Sequence, residues 1–337
     1  MKPLVSILIP AYNSGEWITQ TIESALAQSW LRKEIIVVDD GSKDETLSVA
    51  RRFESAQVQV VTQPNQGAAA ARNKAISLSQ GDYIQWLDAD DLLHPEKISD
   101  QLGALMAGPE PRTLLSGAWG HFSHSPERAR FVPTELWNDL QPVDWLIHKL
   151  SRNLFMQTGS WLVSRELSNA AGPWDTQMLS DDDGEYFCRI LQASSRVCFV
   201  PTAKVYYRES GAGSLSVIGG STRKIEALWV SMQRHIECVR SLEDSPRVRE
   251  ACLVYLRSSF PYFYPEHSSI VEQAQALAVS LGGRLDPPSM SWKYGWIRAA
   301  FGWKAAKNAQ VALPQFRGRI ARSWDKVLFQ GGGRKSL

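Results

Sequence analysis

Asp88, Asp90 and Asp91 fall within four positions of one another, directly behind the apolar run "YIQWL". Each carboxylate makes the next harder to ionise, so such crowding at a strand end calls for a compensating partner. Hard oxygen ligands of this kind suit Mg²⁺ or Mn²⁺, ions that keep water and substrate phosphates in their remaining positions. The structural alternative is capping of the following helix, "HPEKISDQLGAL", which explains one aspartate well and three poorly. An EF-hand does not fit, because the sixth and twelfth positions counted from Asp88 are Leu93 and Ser99 rather than Gly and Glu. A second crowded stretch, "MLSDDDGEYFCRIL" at 178 to 191, sets Asp181, Asp182 and Asp183 ahead of a helical pattern. Adjacent carboxylates there would raise one pKa toward the range of a general base, while a helix N-terminus acts in the opposite sense. Capping by Ser180 or Asp181 and an i,i+4 pair of Glu185 with Arg189 form the structural reading of the same stretch.

The elements that must position these residues alternate regularly. "LVSILI", "EIIVVD", "VQVVT" and "DYIQWLD" read as strands; "GEWITQTIESALAQS", "KDETLSVARRFES" and "GAAAARNKAISLSQ" between them read as helices. Alternation of this kind predicts a parallel sheet with right-handed crossovers and helices on both faces. Ligands then bind outside the carboxyl ends of the strands, here "PAYN", "DDGS", "QPNQG" and "DADD". The first acidic cluster therefore belongs to a cleft. From 113 to 215 the pattern is mixed, with strand-like "RTLLSGAW", a helix over "PVDWLIHKLSR" and "RVCFVPTAKVYYRES" as two strands interrupted by Pro201; beyond 220 the chain reads as helical.

Length and composition set outer bounds. The chain has 337 residues, 44% hydrophobic and 21% charged, values of a globular protein with a sizeable core. Its net charge of +2 is unevenly placed: residues 291 to 337 hold ten Lys or Arg against Asp325 alone, which leaves the body at about −7 by subtraction. An acidic body argues against nucleic acid as a partner. Four cysteines without a CxxC pair suit a reduced, cytoplasmic setting, and no uncharged apolar stretch reaches the roughly 18 to 20 residues that span a bilayer. "MKPLVSILIPAYN" reads as a first strand rather than a signal peptide. P-loop, GxGxxG, GxSxG and HExxH motifs are missing from the sequence.

Taken together, "VSILIPAYNSGEWITQTIESALAQS", "EIIVVDDGSKDET", "NQGAAAARNKAI" and "GDYIQWLDADD" resemble the nucleotide-binding half of the family 2 glycosyltransferases, closely over the first hundred residues and more loosely to about 216. The resemblance implies an α/β GT-A fold over 1–218, with 1–105 for the nucleotide sugar and 106–218 for the acceptor side and the base, followed by a helical region with a basic tail over 219–337. It implies that Pro10, Ala11 and Tyr12 line the nucleoside pocket, that Asp39 bonds the base, and that Arg72 lies near the nucleotide. Asp88 and Asp90 match the DxD motif, Asp88 toward ribose and metal and Asp90 as the direct ligand of Mn²⁺ or Mg²⁺. In the family an acidic pair followed by aromatics and an Arg supplies the base. Matching these to Tyr186, Phe187 and Arg189 gives Asp182 and Asp183, with Asp183 the candidate and Asp182 its competitor.

The expected reaction is a metal-dependent, inverting transfer from a nucleotide sugar, most simply a UDP-sugar, to a hydroxyl of a glycan or lipid-linked glycan, as in polysaccharide or lipopolysaccharide synthesis. Two rivals stand beside it: a non-catalytic nucleotide-sugar binder, which would keep UDP binding without turnover, and a nucleotidyltransferase, which would release pyrophosphate. The chain departs from the family after "VYYRE", where many relatives carry a His and this sequence reads "SGAGSLS"; Arg208 or Ser214 is the substitute phosphate contact. His121 and His124 lack an evident third ligand and read as surface histidines. Of the thirteen tryptophans, Trp119, Trp161 and Trp174 invite sugar stacking against the usual core role, and Trp174 in "GPWD" is the candidate for acceptor contact. "SWKYGWIRAAFGWKAAKNAQ" mixes aromatic and basic residues, and reads equally as a helix on an anionic membrane or as one packed on the body.

Overall fold

The computed structural model describes residues 2–107, 112–209 and 221–288. Strands β1 (Val5–Ala11), β2 (Lys33–Asp39), β3 (Val58–Thr62) and β4 (Tyr83–Trp86) lie in the order β3-β2-β1-β4, all parallel, with the short β8 (Val163–Ser164) antiparallel on the edge of β4. β1, β2 and β4 are mostly apolar and almost wholly buried, as strands covered on both faces require, while the edge strand β3 leaves Gln59 and Thr62 exposed. Helices α1 (Ile18–Leu26), α2 (Thr46–Ala50) and α3 (Ala68–Leu78) make the crossovers. After β3 the chain crosses β1 to build β4 on its other side, so the order reverses between β1 and β4. Such a switch point opens a crevice at the strand ends, here at Ala11 and just beyond Trp86.

A second sheet, in the order β5-β9-β6-β7, is built from β5 (Leu92–Leu93), β6 (Thr113–Phe122), β7 (Arg130–Phe131) and β9 (Arg196–Arg208). Expected as two strands, β9 is continuous. Its pairing with β6 shifts between Gly117, opposite Val200, and Ala118, opposite Lys204, so that Pro201 sits in a bulge where no ladder bond is demanded of it. Sequence patterning also leaves out β8 and α6 (Arg165–Ala171), while the helical reading beyond 220 covers α9 (Pro246–Phe263).

α4 (Lys97–Ala107) follows β5; α5 (Pro142–Arg152) and α7 (Asp182–Ala193) flank the second half, and the long α8 (Thr222–Leu242), α9 and α10 (Ser268–Ser280) complete the described chain. α8 packs on α7, and α9 on α5, so the C-terminal helices close over the elements that carry the second acidic cluster. Among the described residues no helix is long and apolar enough to cross a membrane, and the basic tail lies outside them.

The strand-end loops are tied to one another by side chains. Asn13, in the left-handed region at φ 49°, receives Lys43 N at 2.8 Å through its side-chain oxygen, and its own N–H donates to Ser42 Oγ at 3.0 Å. Asp44 accepts from Thr46 N at 3.0 Å and from Gly15 N at 3.0 Å, capping α2 as acids there commonly do. Gly41 has φ 70°, and a Cβ on it would stand 2.8 Å from Asn65 N. Gly41→Ala should therefore lower stability by about 1–3 kcal/mol in urea denaturation. In contrast, Gly103→Ala, at an exposed position of α4 where a Cβ meets nothing within 4 Å, should leave it unchanged or raise it by about 0.5–1 kcal/mol.

Candidate active site

Asp88 leaves the end of β4 facing the crevice, and it does not stand alone. Arg72, on α3 and only 7% exposed, donates from Nη2 to Asp88 at 3.0 Å and from Nη1 to Asp182 at 2.7 Å. Its guanidinium lies 4.4 Å from the ring centre of Trp174. One cation thus joins the two acidic clusters, 94 positions apart in sequence by subtraction of 88 from 182. Burial opposes its charge, but Asp182 and Asp88 hold it above the ordinary arginine value.

The three strand-end carboxylates have separate surroundings. Asp91 is fully buried and accepts from Arg208 N at 2.7 Å and Gln157 Nε2 at 2.5 Å. Burial, and then Asp90 and Asp88, push its pKa well above the usual range. Asp88 and Asp90 stay half-exposed at the cleft. Among the described residues no group of three or more His, Cys, Asp or Glu is arranged to hold a metal ion. Two half-exposed carboxylates one residue apart are nevertheless a donor set that fits Mg²⁺ or Mn²⁺ completed by phosphate and water.

Arg208 is not free to take the phosphate contact suggested for it. It is 2% exposed and donates from Nε to Asp90 O at 2.7 Å, from Nη1 to Ser123 O at 3.1 Å and from Nη2 to Gln20 Oε1 at 2.7 Å, between the rings of Trp17 and Phe122 at 4.2 and 4.4 Å. Burial brings its pKa down to about 10. Its role is to hold the loop from Asp88 to Asp91 in place. Ser214 lies outside the described residues.

At the other strand ends, Pro10 and Ala11 finish β1, Tyr12 follows with 45% exposure, and Asp39 is buried with its carboxylate taking Thr62 Oγ1 at 2.9 Å and Ser42 N at 3.3 Å. These residues share the edge on which Asp88 opens. Asp40 organises the next loop: it receives Gln63 Nε2 at 2.7 Å, Gln66 N at 3.0 Å and Gly67 N at 2.8 Å.

Asp183 stands in the first turn of α7, half-buried, with Thr158 Oγ1 at 3.4 Å. Burial, then Asp181 and Asp182, raise its pKa to about 7 against the pull of Arg72 and Lys149. It lines a small cavity with Lys149, Phe155, Met156 and Trp161. Beside the cavity runs an aromatic wall, Trp119 with Phe155 and His121 at 4.7 Å each and His121 with Tyr207 at 5.3 Å, in which Phe155 is 49% exposed. His121 is thus half-buried in this wall rather than a surface residue, and His124 packs edge-on to Trp17. Trp174, the candidate for acceptor contact, is instead core: 2% exposed, it stacks on Tyr186 at 4.0 Å and supports Arg72. Trp161 is equally buried, stacked on Phe187 at 5.3 Å. Glu185 and Arg189 form the expected pair, at 2.9 and 2.8 Å.

Residues 6–127 match the model for "Glycosyl transferase family 2". A putative teichuronic acid biosynthesis glycosyltransferase, TuaG of Bacillus subtilis, is 41% identical over 108 residues, 31% of this chain and 43% of that protein. The chain likewise spans 44% of the length of an uncharacterized glycosyltransferase of Rickettsia felis. Among solved structures, S. aureus TarS 1–349 in complex with UDP-GlcNAc is similar at TM-score 0.66 and 16% identity, covering 82% of this chain and 81% of that one. The mannosyltransferase PcManGT from Pyrobaculum calidifontis, in complex with GDP-Man and Mn²⁺, is similar at TM-score 0.54 and 18% identity, covering 99% and 89%. The fold is therefore the GT-A type, with a helical C-terminal region. The chain carries a family 2 glycosyltransferase domain in its N-terminal part.

Arg72→Ala would leave Asp88 and Asp182 without their shared cation, and should cost about 2–4 kcal/mol in denaturant unfolding, with Arg72→Lys recovering only part because one ammonium cannot span both carboxylates in the same way. Asp183 titrates near 7 in the folded chain and near the ordinary carboxylate value when unfolded. The stabilisation from its bound proton is full below about pH 4 and lost as pH rises through about 7. Asp183→Asn should thus be more stable than the native chain by about 1–3 kcal/mol at pH 8 and no different at pH 4 in parallel melts.

Proposed function

We propose that the chain is a metal-dependent, inverting glycosyltransferase that takes a sugar from a nucleotide sugar, a UDP-sugar, and passes it to a hydroxyl of a growing glycan or lipid-linked glycan. The observation that carries this reading is the Arg72 bridge, which joins Asp88, just beyond β4, to Asp182 of the turn that carries Asp183. Kinship to a teichuronic acid relative supports polysaccharide synthesis, and the UDP-GlcNAc held by a structural neighbour supports the choice of UDP.

Pro10, Ala11 and Tyr12 would face the nucleoside and Asp39 its base, at the crevice where β1 and β4 part. Asp90 and Asp88 would hold Mn²⁺ or Mg²⁺, which when bound neutralises the diphosphate and makes it a competent leaving group. Asp183, poised near neutrality, would accept the proton of the acceptor hydroxyl as that oxygen attacks the anomeric carbon, while Asp182 is engaged by Arg72 and less free to do so. The wall of Trp119, Phe155 and Tyr207 would offer an apolar face to an acceptor ring.

The test is UDP release from a panel of UDP-sugars with Mn²⁺, Mg²⁺ or EDTA, read together with calorimetric UDP binding. Asp90→Ala should abolish metal-dependent UDP binding as well as release. Asp183→Asn should keep binding and lower turnover by about 100-fold or more. Absence of UDP binding under all metal conditions would sink the nucleotide-sugar reading; binding indifferent to EDTA and to Asp90→Ala would remove the metal from it.

A further inference from the structure

The first residue of the acidic triplet has a different neighbourhood from the other two. Asp181 precedes α7 in the left-handed conformation, φ 55° and ψ 36°, and makes no side-chain cap hydrogen bond to the helix that it starts. Its carboxylate turns instead to the C-terminal helices, where Ser231 Oγ of α8 donates a short hydrogen bond to it. His235 Nε2, also on α8, lies 3.7 Å away with no hydrogen-bond partner of its own, and His235 Nδ1 meets Tyr255 OH of α9 at 3.2 Å. His235 is wholly buried. Gly184 makes room for the arrangement, since a Cβ on it would collide with the Asp181 carboxylate.

We propose that Asp181 is a positioning residue through which the C-terminal helices govern the base: anchored by Ser231 and lying beside His235, it fixes the turn that carries Asp183 and keeps a negative charge behind that carboxyl. The proposal rests on Asp183 as the base of the proposed transfer. The alternative for Asp181 is an ordinary helix cap, and its missing cap bond and its strained backbone argue against that.

The groups that face Asp183 account for its protonation. Asp181 and Asp182 on α7 favour the protonated form, as does burial, while Arg72 on α3 and Lys149 on α5 favour the ionised form. Thr158 hydrogen-bonds it, and the Tyr207 phenol of β9 feels its charge. Asp182 is already neutralised by Arg72 at 2.7 Å. Asp181 meets instead the Ser231 hydroxyl and a histidine that burial keeps neutral. Burial first, and then the Asp181 charge that the C-terminal helices hold in place, thus keep a proton on the base near neutral pH. Because α8 and α9 also pack on α7 and α5, any movement of them would be felt at the base turn.

The experiment is a pH titration of the full chain labelled with aspartate carboxyl carbon-13. The Asp183 resonance is identified by its loss in Asp183→Asn, an assignment that holds whether or not Asp183 is the base. In Asp181→Asn, which keeps the size and can still accept from Ser231, the Asp183 midpoint should fall by about one pH unit. Ser231→Ala, outside the cleft, unties Asp181 from α8 and should also shift the midpoint, and decides the matter alone if Asp181→Asn does not fold. A midpoint unmoved in the folded variants overturns the proposal. The base reading fails separately, if UDP release persists in Asp183→Asn.

Discussion

A single guanidinium sets the geometry of this molecule's chemistry. Arg72 is buried, rests on the face of Trp174 and is shared by carboxylates from two distant parts of the chain. A buried charge is tolerable only when compensated, and here the compensation is itself the junction between the parallel sheet and the turn that starts α7. Were the arginine exposed, both contacts would be screened and optional. Buried, they are obligatory, and the distance between Asp88 and the second acidic cluster follows from the span of one planar fork.

The crowding of aspartates resolves once each is followed to its partner. Asp91 serves the interior and bonds Gln157 and the Arg208 main chain, Asp88 answers Arg72, and Asp90 stays at the cleft. In the second cluster Asp182 answers the same arginine, Asp181 looks to α8, and Asp183 remains with a threonine and a small cavity. Like charges close in sequence are thus separated by the direction in which each is drawn, and one carboxyl in the second cluster keeps an elevated pKa.

Much of the sheet was legible from period and turn chemistry, because covered parallel strands are uninterrupted apolar runs and the intervening helices carry clear faces. The crevice followed from the strand ends. What sequence could not show was long-range pairing. Nothing in "GPWD" distinguishes a tryptophan that greets a sugar from one that supports an arginine, and nothing near Arg208 announces that three separate segments consume its guanidinium donors. Pro201 misled for a physical reason: a proline ordinarily ends a central strand, but the register shift opposite Gly117 removes the ladder bond that it could not make. Ser231 and His235 carried no local signal, since a serine and a histidine on an amphipathic helix read as core packing.

The clamping of Arg208 has a consequence for the thermodynamics of binding at the strand end. Because its guanidinium fastens the Asp90 carbonyl, its own N–H fastens Asp91, and two rings hold it from either side, the turn that presents Asp88 and Asp90 is already in one conformation before any ligand arrives. Little backbone freedom then has to be surrendered when a ligand meets these carboxylates, and its interaction energy goes into affinity rather than into ordering a loop.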